Sequence, residues 1–284
     1  MISAARAAPR SSQDNNAGVG LELIDPETGA KRRFRNPCGG DLPRYSTDRA
    51  FVACGETEIR TASGKIVRRL KLAARNESTH IGPITLGPRG RPFVYDAVID
   101  ERAADIWLLG SRLRRLTSGP GDGGLWIASL ATRRAQRLTS GREPAWSRDG
   151  RRIAFADRNS IGSSGRTGRA SAKIATVAAT VEDLAWSPEG RAIADATGET
   201  ISVISLTNGT IRQPVSETDN VVTSPTWSPD GRGIAYATGW TNDIPYPWQA
   251  PEAHFLEIWT VDVASGARSP LVQSPGFNFA PGWR

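Results

Sequence analysis

The chain has 284 residues, a net charge of +7 and 38% hydrophobic residues, with 29 glycines, 19 prolines and 9 tryptophans. No run of about 18 apolar residues occurs, which excludes a transmembrane helix, and no amphipathic helix of useful length stands out. The chain has only 2 cysteines and 2 histidines, which leaves little material for a metal centre or a histidine-dependent active site.

The predicted elements begin after a polar segment. Residues 1–18 are small and polar and are expected to be disordered, with one domain spanning residues 19–284. This segment has no apolar core of about 7–15 residues and is not a convincing signal peptide. The run from Leu21 to Phe34 then predicts an antiparallel hairpin around the turn at residues 25–29.

Both cysteines fall in the first predicted repeat unit. Cys38 precedes its first strand and Cys54 ends its second strand. Antiparallel neighbours come within disulfide range, and a bridge between them favours a periplasmic or extracellular protein. Two free thiols in a cytoplasmic protein are the alternative that the sequence leaves open.

Three near-copies of one motif organise the middle of the chain: REPAWSRDGRRIAFA, VEDLAWSPEGRAIADA and VTSPTWSPDGRGIAYA. Their tryptophans, Trp146, Trp186 and Trp227, stand 40 and 41 residues apart. A period of about 40 residues with strand-like content is typical of a β-propeller with one repeat per blade. The sequence therefore predicts an all-β propeller.

Each copy predicts two strands around a tight turn. The first strand ends at Trp-Ser, the acidic residue favours the turn, and the glycine that follows (Gly150, Gly190, Gly231) accepts a positive φ. Two more strands complete a blade, and in the Trp186 copy these are predicted at residues 200–206 and 210–215. The tryptophan is expected to pack between neighbouring blades and the acid to shape the turn.

Weaker copies extend the repeat. One register contains a large side chain in each copy: Tyr45, Leu86, Trp146, Trp186, Trp227 and Trp283. Five complete units and a composite blade, built from the hairpin at 21–34 and the strand at Trp283, predict a six-bladed propeller. Five or seven blades are the alternatives. Two insertions interrupt the register, one at residues 105–141 and one at residues 239–254.

The run RLTSGREPAWSRDGRRIAFA, from Arg137 to Ala156, resembles the WD40-like (PD40) repeat of the TolB propeller family. The resemblance is clearest over residues 105–237 and 256–263. It implies a six-bladed propeller, and TolB binds the lipoprotein Pal at the mouth of its channel in the periplasm. TolB also has an N-terminal α/β domain, for which this chain has no room. Similar repeats occur beside prolyl-oligopeptidase-type hydrolases and in some oligogalacturonate lyases.

The sequence contains few candidate catalytic residues. His80 and His254 are 174 residues apart, and no Gly-x-Ser-x-Gly nucleophile turn is present. The glycine-rich run from Gly162 to Gly168 lacks the lysine of a phosphate-binding loop and is predicted to be a flexible loop. No basic patch with stacking aromatics or known nucleic-acid-binding module is evident. The sequence thus predicts no enzyme activity, no cofactor, no metal site and no nucleic-acid partner.

The insertion GWTNDIPYPWQAPEAH, residues 239–254, is the best candidate for a recognition element. It carries Trp240, Tyr246, Trp248 and His254 together with three prolines. Aromatic side chains held by prolines lose little entropy on binding. A loop that folds over the propeller and buries its own aromatic side chains is the alternative.

The function predicted from the sequence is a monomeric, non-enzymatic, TolB-like propeller that binds a protein or peptide at its channel face. The alternative is a carbohydrate-binding or lyase- or hydrolase-type propeller with a site at the channel mouth.

Overall fold

A computed structural model of the chain describes residues 2–7, 20–28, 30–34, 36–38, 43–46, 48–54, 58–74, 79–81, 85–87, 93–99, 104–109, 114–115, 124–129, 134–139, 141–165, 171–218, 220–240, 256–273 and 277–283. These residues form 27 strands and contain no helix long and apolar enough to cross a membrane.

The strands, in chain order, are β1 (Ile2–Ala7), β2 (Gly20–Ile24), β3 (Lys31–Phe34), β4 (Pro43–Tyr45), β5 (Phe51–Cys54), β6 (Glu58–Thr61), β7 (Ile66–Ala74), β8 (Thr79–Ile81), β9 (Thr85–Leu86), β10 (Phe93–Ile99), β11 (Ala104–Leu109), β12 (Arg114–Arg115), β13 (Gly124–Ser129), β14 (Arg134–Thr139), β15 (Arg142–Trp146), β16 (Arg152–Asp157), β17 (Ser160–Gly165), β18 (Ala172–Thr176), β19 (Asp183–Trp186), β20 (Ala192–Thr197), β21 (Thr200–Ser205), β22 (Ile211–Ser216), β23 (Asn220–Trp227), β24 (Gly233–Trp240), β25 (Leu256–Asp262), β26 (Arg268–Val272) and β27 (Phe277–Trp283).

Each strong copy of the repeat folds into one antiparallel four-stranded blade. We name these blades by their tryptophans: the Trp146 blade (β15–β18), the Trp186 blade (β19–β22) and the Trp227 blade (β23–β26). The tryptophan pairs in each case with the isoleucine that begins the predicted second strand, as in Trp186 with Ile193. In the Trp186 blade the predicted outer strands correspond to β21 and β22.

The first and last strands share one blade, as the sequence predicts. β27 pairs with β1, β1 with β2, and β2 with β3, which makes a fourth blade that we call the closing blade. A single parallel pair, Leu256 with Phe277, joins it to the Trp227 blade in one eight-stranded sheet. The expectation of disorder over residues 1–18 differs from the structure at Ile2–Ala7, which form β1. A short strand of small residues is held here because both of its edges have backbone partners. The rest of the segment lies outside the described residues.

The chain divides into two compact units. One comprises Met1–Leu42 and Val177–Arg284, and contains the closing, Trp186 and Trp227 blades. The other is Pro43–Thr176, which contains the Trp146 blade and two further sheets.

The predicted insertion at residues 105–141 divides between these two further sheets. Its first part, β11 and β12, pairs along β7 and extends the sheet of β4–β7 to six strands. Its second part, β13 and β14, pairs with β10 in a five-stranded sheet that includes β8 and β9. The described strands therefore form four blades and two larger sheets, and the predicted count of six blades is not confirmed.

The two strong copies with an aspartate in the turn share one hydrogen-bond pattern. The buried Ser147 hydroxyl donates to Asp149 at 2.6 Å and accepts the Arg152 amide at 2.9 Å. Ser228 makes the same two bonds to Asp230 and Gly233. The serine bond is the main reason that the pKa of Asp149 and that of Asp230 lie below the usual range for aspartate. These acids are therefore engaged in holding the turn.

The turn also requires a left-handed residue. Gly150, Gly190 and Gly231 have φ of 65°, 70° and 73°, and each donates its amide to the carbonyl of the turn serine. In the weaker copy at Tyr45, Arg49 takes this place with φ of 58° and makes the equivalent bond to Ser46. A residue with a Cβ is strained in the left-handed region of φ, so the turn that contains Arg49 forms at a cost in backbone energy.

Tryptophan packing joins neighbouring blades within the unit that contains Val177–Arg284. Trp227 is 8% exposed, and its Nε1 donates to the Ala185 carbonyl of the Trp186 blade at 3.1 Å. It belongs to a buried cluster with residues of both blades, including Val203 and Tyr236. This geometry is what the interpretation of the repeated tryptophan as an inter-blade packing residue requires.

In the other unit, Trp146 clusters with Ile127 of the five-stranded sheet and with Phe155 of its own blade. The predicted flexible loop at 162–168 is wrong at its beginning, because Gly162–Gly165 belong to β17. The Phe155 ring lies so close to Gly162 that a Cβ there would be 2.4 Å from the ring. The glycine is needed for this close approach, and it does not signal flexibility.

Both cysteines are disulfide-bonded and buried. The only two cysteines of the chain, Cys38 and Cys54, therefore form the bridge that was one of the two alternatives from the sequence. The loop that the bridge closes between Cys38 and Cys54 restricts the unfolded chain and so stabilises the fold.

Replacing Arg49 by Gly is expected to raise the free energy of unfolding by about 0.5–1 kcal/mol, because glycine removes the left-handed strain. Arg49→Ala is the matched control, since it shortens the side chain and keeps the Cβ, and it should give no such gain. Urea denaturation measures both. Equal stabilisation by Gly and Ala would contradict the backbone explanation.

Replacing Cys38 and Cys54 together by Ser is expected to lower the free energy of unfolding by about 3 kcal/mol. A reductant should destabilise the parent by a similar amount and leave the double variant unchanged. A thiol reagent applied to the non-reduced, denatured parent should find no free thiol. Detection of two reactive thiols would contradict the bridge.

Candidate functional site

One end of the Trp186 and Trp227 blades carries the insertion at residues 239–254. In the Trp186 blade, β20 and β21 are joined by only Gly198 and Glu199. In the Trp227 blade, the equivalent strands β24 and β25 continue further and are joined by residues 241–255. We call this end of the two blades the loop face.

One backbone bond closes the loop end of the Trp186 blade, and a second connects that blade to the Trp227 blade. The Glu217 amide, after β22, donates to the Glu199 carbonyl at 2.9 Å, and the Val222 amide of β23 donates to the Gly198 carbonyl at 2.6 Å. On the Trp227 side, Thr238 pairs in the ladder with both Val222 and Glu257. The short hairpin and the base of the long insertion are thus parts of one continuous surface.

The structure places the predicted binding residues only in part. Trp240 ends β24, so it lies where the insertion begins, and its backbone pairs with Asn220. Tyr246, Trp248 and His254 lie outside the described residues. Trp283 ends β27 and pairs with Ile2, and His80 lies in β8, opposite Val98 in the ladder.

An ion pair joins Arg268, the first residue of β26, to Glu217, which follows β22 at the loop end of its blade. The Arg268 guanidinium contacts the Glu217 carboxylate, and each is partly exposed. The Tyr236 hydroxyl lies near this pair, but it is buried and has no hydrogen-bond partner of normal geometry within the described part of the chain. Burial raises the pKa of Tyr236 to about 12, so the phenol stays neutral.

A second buried polar group is unexpected from the sequence. Asp195 occupies the repeat position that holds Phe155 and Tyr236 in the neighbouring copies, and it is 0% exposed. Its partners across the ladder are Leu184 and Ser202. Neither carboxylate oxygen has a hydrogen bond of normal geometry to the described residues. An acid at an aromatic position of the repeat is the sequence signal that could have revealed it.

Desolvation raises the pKa of Asp195 to about 7, and its own backbone and the Ser202 hydroxyl offset this only in part. A carboxyl of this kind holds its proton in the folded protein at mildly acidic pH.

No three His, Cys, Asp or Glu side chains among the described residues lie close enough together to hold a metal ion.

The first strands of two blades contain a bulge that the repeat pattern does not predict. In β15 and β23 the ladder shifts register just before the tryptophan, where Pro144 and Pro225 stand. Proline has no amide to donate, and the preceding residues, Glu143 and Ser224, have φ of 48° and 54°. The Trp186 blade has Leu184 at this position and pairs regularly. A proline two residues before the tryptophan is the signal for the bulge.

Replacing Asp195 by Asn should change how stability depends on pH. The folded protein keeps the Asp195 proton up to pH of about 7, whereas the unfolded chain releases it near pH 4, so folding takes up a proton between these values. The parent should therefore lose stability as pH rises from 4 to 7, by up to about 4 kcal/mol relative to the Asn variant, and then level off. Denaturation of both proteins across this range measures the difference. Parallel pH profiles would contradict it.

No protein-family model and no curated protein matches the chain. Solved structures do resemble it. TolB from Acinetobacter baumannii has a TM-score of 0.66 and 14% identity over 100% of this chain, which spans only 66% of that protein. A candidate TolB from Agrobacterium tumefaciens has a TM-score of 0.57 and 14% identity, over 91% of this chain and 88% of its own.

Hydrazine synthase from Kuenenia stuttgartiensis is also similar, with a TM-score of 0.53 and 14% identity, over 86% of this chain and 70% of its own. At 14% identity these likenesses concern the fold alone. The blades and the likenesses together show that this chain has an all-β propeller fold like that of the TolB structures.

Proposed function

We propose that the chain is a non-enzymatic propeller scaffold that binds a protein or peptide through its loop face. The observation that carries this proposal is the unequal length of two equivalent hairpins. Two residues join β20 to β21, whereas residues 241–255 join β24 to β25. The repeat fixes the blades, so an addition to one hairpin alone serves something other than the fold.

The composition of the insertion suits binding. Trp240, Tyr246 and Trp248 provide large apolar contact areas, and three prolines limit the conformations of the unbound loop. Aromatic side chains supply much of the energy at protein interfaces, and a restricted loop loses less entropy when it is captured. We propose that the partner contacts these residues and His254. They belong to the face that the resemblance to TolB associates with the channel.

Catalysis is the second candidate, because one of the similar structures is an enzyme, hydrazine synthase. Under this second candidate function, the loop face would bind a carbohydrate, or would carry the active site of a lyase or hydrolase, at the channel mouth. We favour binding because the whole chain has 2 histidines, which stand far apart in the sequence, and because two of the three similar structures are described as TolB proteins.

We also infer that residues 19–284 form one six-bladed propeller. The six-stranded sheet then consists of a blade, β4–β7, with the hairpin β11–β12 added at its outer edge, and the five-stranded sheet is the sixth blade. We propose a monomer in the periplasm or outside the cell, a location that the disulfide favours over the cytoplasm.

Replacing Trp240 and Trp248 together by Ala tests the binding function. Partners captured from the native host by the parent should be bound at least about tenfold more weakly by the double variant, with an unchanged unfolding temperature. Ile211→Ala, which truncates an exposed apolar side chain on β22, is the matched control and should retain the partner. A large fall in stability with partner binding intact would show that the loop buries its own aromatics.

A further inference from the structure

The charge of the chain is strongly divided. Residues Val177–Arg284 contain 5 Lys and Arg against 12 Asp and Glu, a net charge of −7. Residues 1–176 carry +14, and this is the source of the overall charge of +7. From residue 233 to residue 267, which includes the insertion, there is no Lys or Arg but there are four acids. The segment that carries the proposed binding loop is therefore the acidic part of a basic protein.

Four described acids between residues 177 and 284 lie at the loop face, whereas Glu189, Asp230 and Asp262 lie in turns at the opposite end. Glu199 lies in the short hairpin, and Glu217 is tied to it by a backbone bond. The Glu182 amide donates to the Ala196 carbonyl, which places Glu182 at the same end of the blade. Glu257 pairs with Thr238 at the base of the insertion.

The basic residues of these two blades lie elsewhere. Arg191 and Arg232 follow the turn glycines at the opposite end, and Arg212 and Arg268 lie on the outer strands β22 and β26. Only Arg268 contacts an acid of the loop face, Glu217.

Two of these acids are solvent-exposed and free of ion pairs. No Lys or Arg of the described chain lies within salt-bridge distance of Glu182 or Glu199, and both side chains are exposed. The Glu257 carboxylate accepts the Trp259 indole N–H at 2.7 Å, which fixes its position without neutralising it. The face therefore keeps most of its negative charge.

An independent sign of a ligand lies beside these acids. The Thr238 hydroxyl is 6% exposed and has no hydrogen-bond partner in the described part of the chain. By strand alternation it is on the same side of β24 as Tyr236, which packs towards the Trp186 blade. It thus lies between the two blades at the end where Gly198 and Glu199 stand, and it can accept or donate a hydrogen bond there.

We propose that the partner of the loop face is a cationic peptide segment, rich in Lys or Arg. This rests on the proposed binding function and adds the chemistry of the partner. Carboxylates attract such a segment and pair with its charged groups. An acidic peptide would be repelled by the same carboxylates.

A short oligolysine peptide is the probe, measured by fluorescence anisotropy with the full chain at low and high salt. Because the whole protein carries +7, net charge opposes this binding, so any affinity reports a local acidic surface. We expect salt-sensitive binding that falls about tenfold in the double variant Glu182→Lys, Glu199→Lys.

Glu189→Lys is the matched control, since Glu189 is an exposed acid of the same blade in the turn at its opposite end. It should leave the affinity within about twofold of the parent. Equal loss in the control and in the double variant, or no binding by the parent, would overturn the cationic partner. Salt-sensitive dimers that the double variant abolishes would also overturn it, because the occupant would then be a second copy of this chain.

The same variants separate this inference from the proposed function. If a partner captured from the host depends on Trp240 and Trp248 but is bound equally by the double charge variant, the binding function stands and the cationic chemistry is wrong. If the captured partner is lost from both sets of variants, and oligolysine competes for it, both proposals are supported.

Discussion

The contact between the Trp227 indole and the Trp186 blade is the interaction on which the described loop face depends. Trp227 ends the first strand of its blade, and its Nε1 bonds to the Ala185 carbonyl in the first strand of the next. A buried indole with this bond fixes both the distance between the two strands and their register along the strand direction. The backbone bond from Val222 to Gly198, which connects the two blades at the loop end, can form only when that register is kept.

Features that arise from local chemistry were readable from the sequence. The spacing of the tryptophans predicts the blades, and the Ser-x-Asp-Gly turns predict the left-handed glycines, because each turn is specified within a few residues. The sequence also predicts the closing blade, because the strand at Trp283 ends the repeat without partner strands and the hairpin at residues 21–34 can supply them. The insertion at 239–254 appeared as a break in an otherwise regular register.

Features that arise from long-range pairing were not readable. The strand at Ile2–Ala7 consists mostly of alanine and other small residues, and only its position between β27 and β2 makes it a strand. The hairpin β11–β12 leaves the sheet of β10 and joins β7, a choice that no local pattern in its sequence indicates. Gly162 looked like a loop residue because the Phe155 ring that covers it belongs to another strand.

The candidate site shows the same division. Its aromatic residues stand out in the sequence, but the acids of the loop face are scattered between residues 182 and 257. They come to one end of the blades only through the strand ladders and the bonds of the short hairpin. Asp195 is visible as an exception in the repeat, yet its complete burial is a property of the packed blade. Exceptions to a repeat are thus the useful guide here, and the structure decides whether an exception is buried or available to a partner.

Amide hydrogen exchange with and without a captured partner tests most directly whether the loop face is the binding surface. Exchange should be slower in the partner-bound protein at residues 198–199, 217–222 and 238–257, and unchanged in the turns at 187–191 and 228–232. Protection confined to those turns, or to residues 43–176, would contradict it.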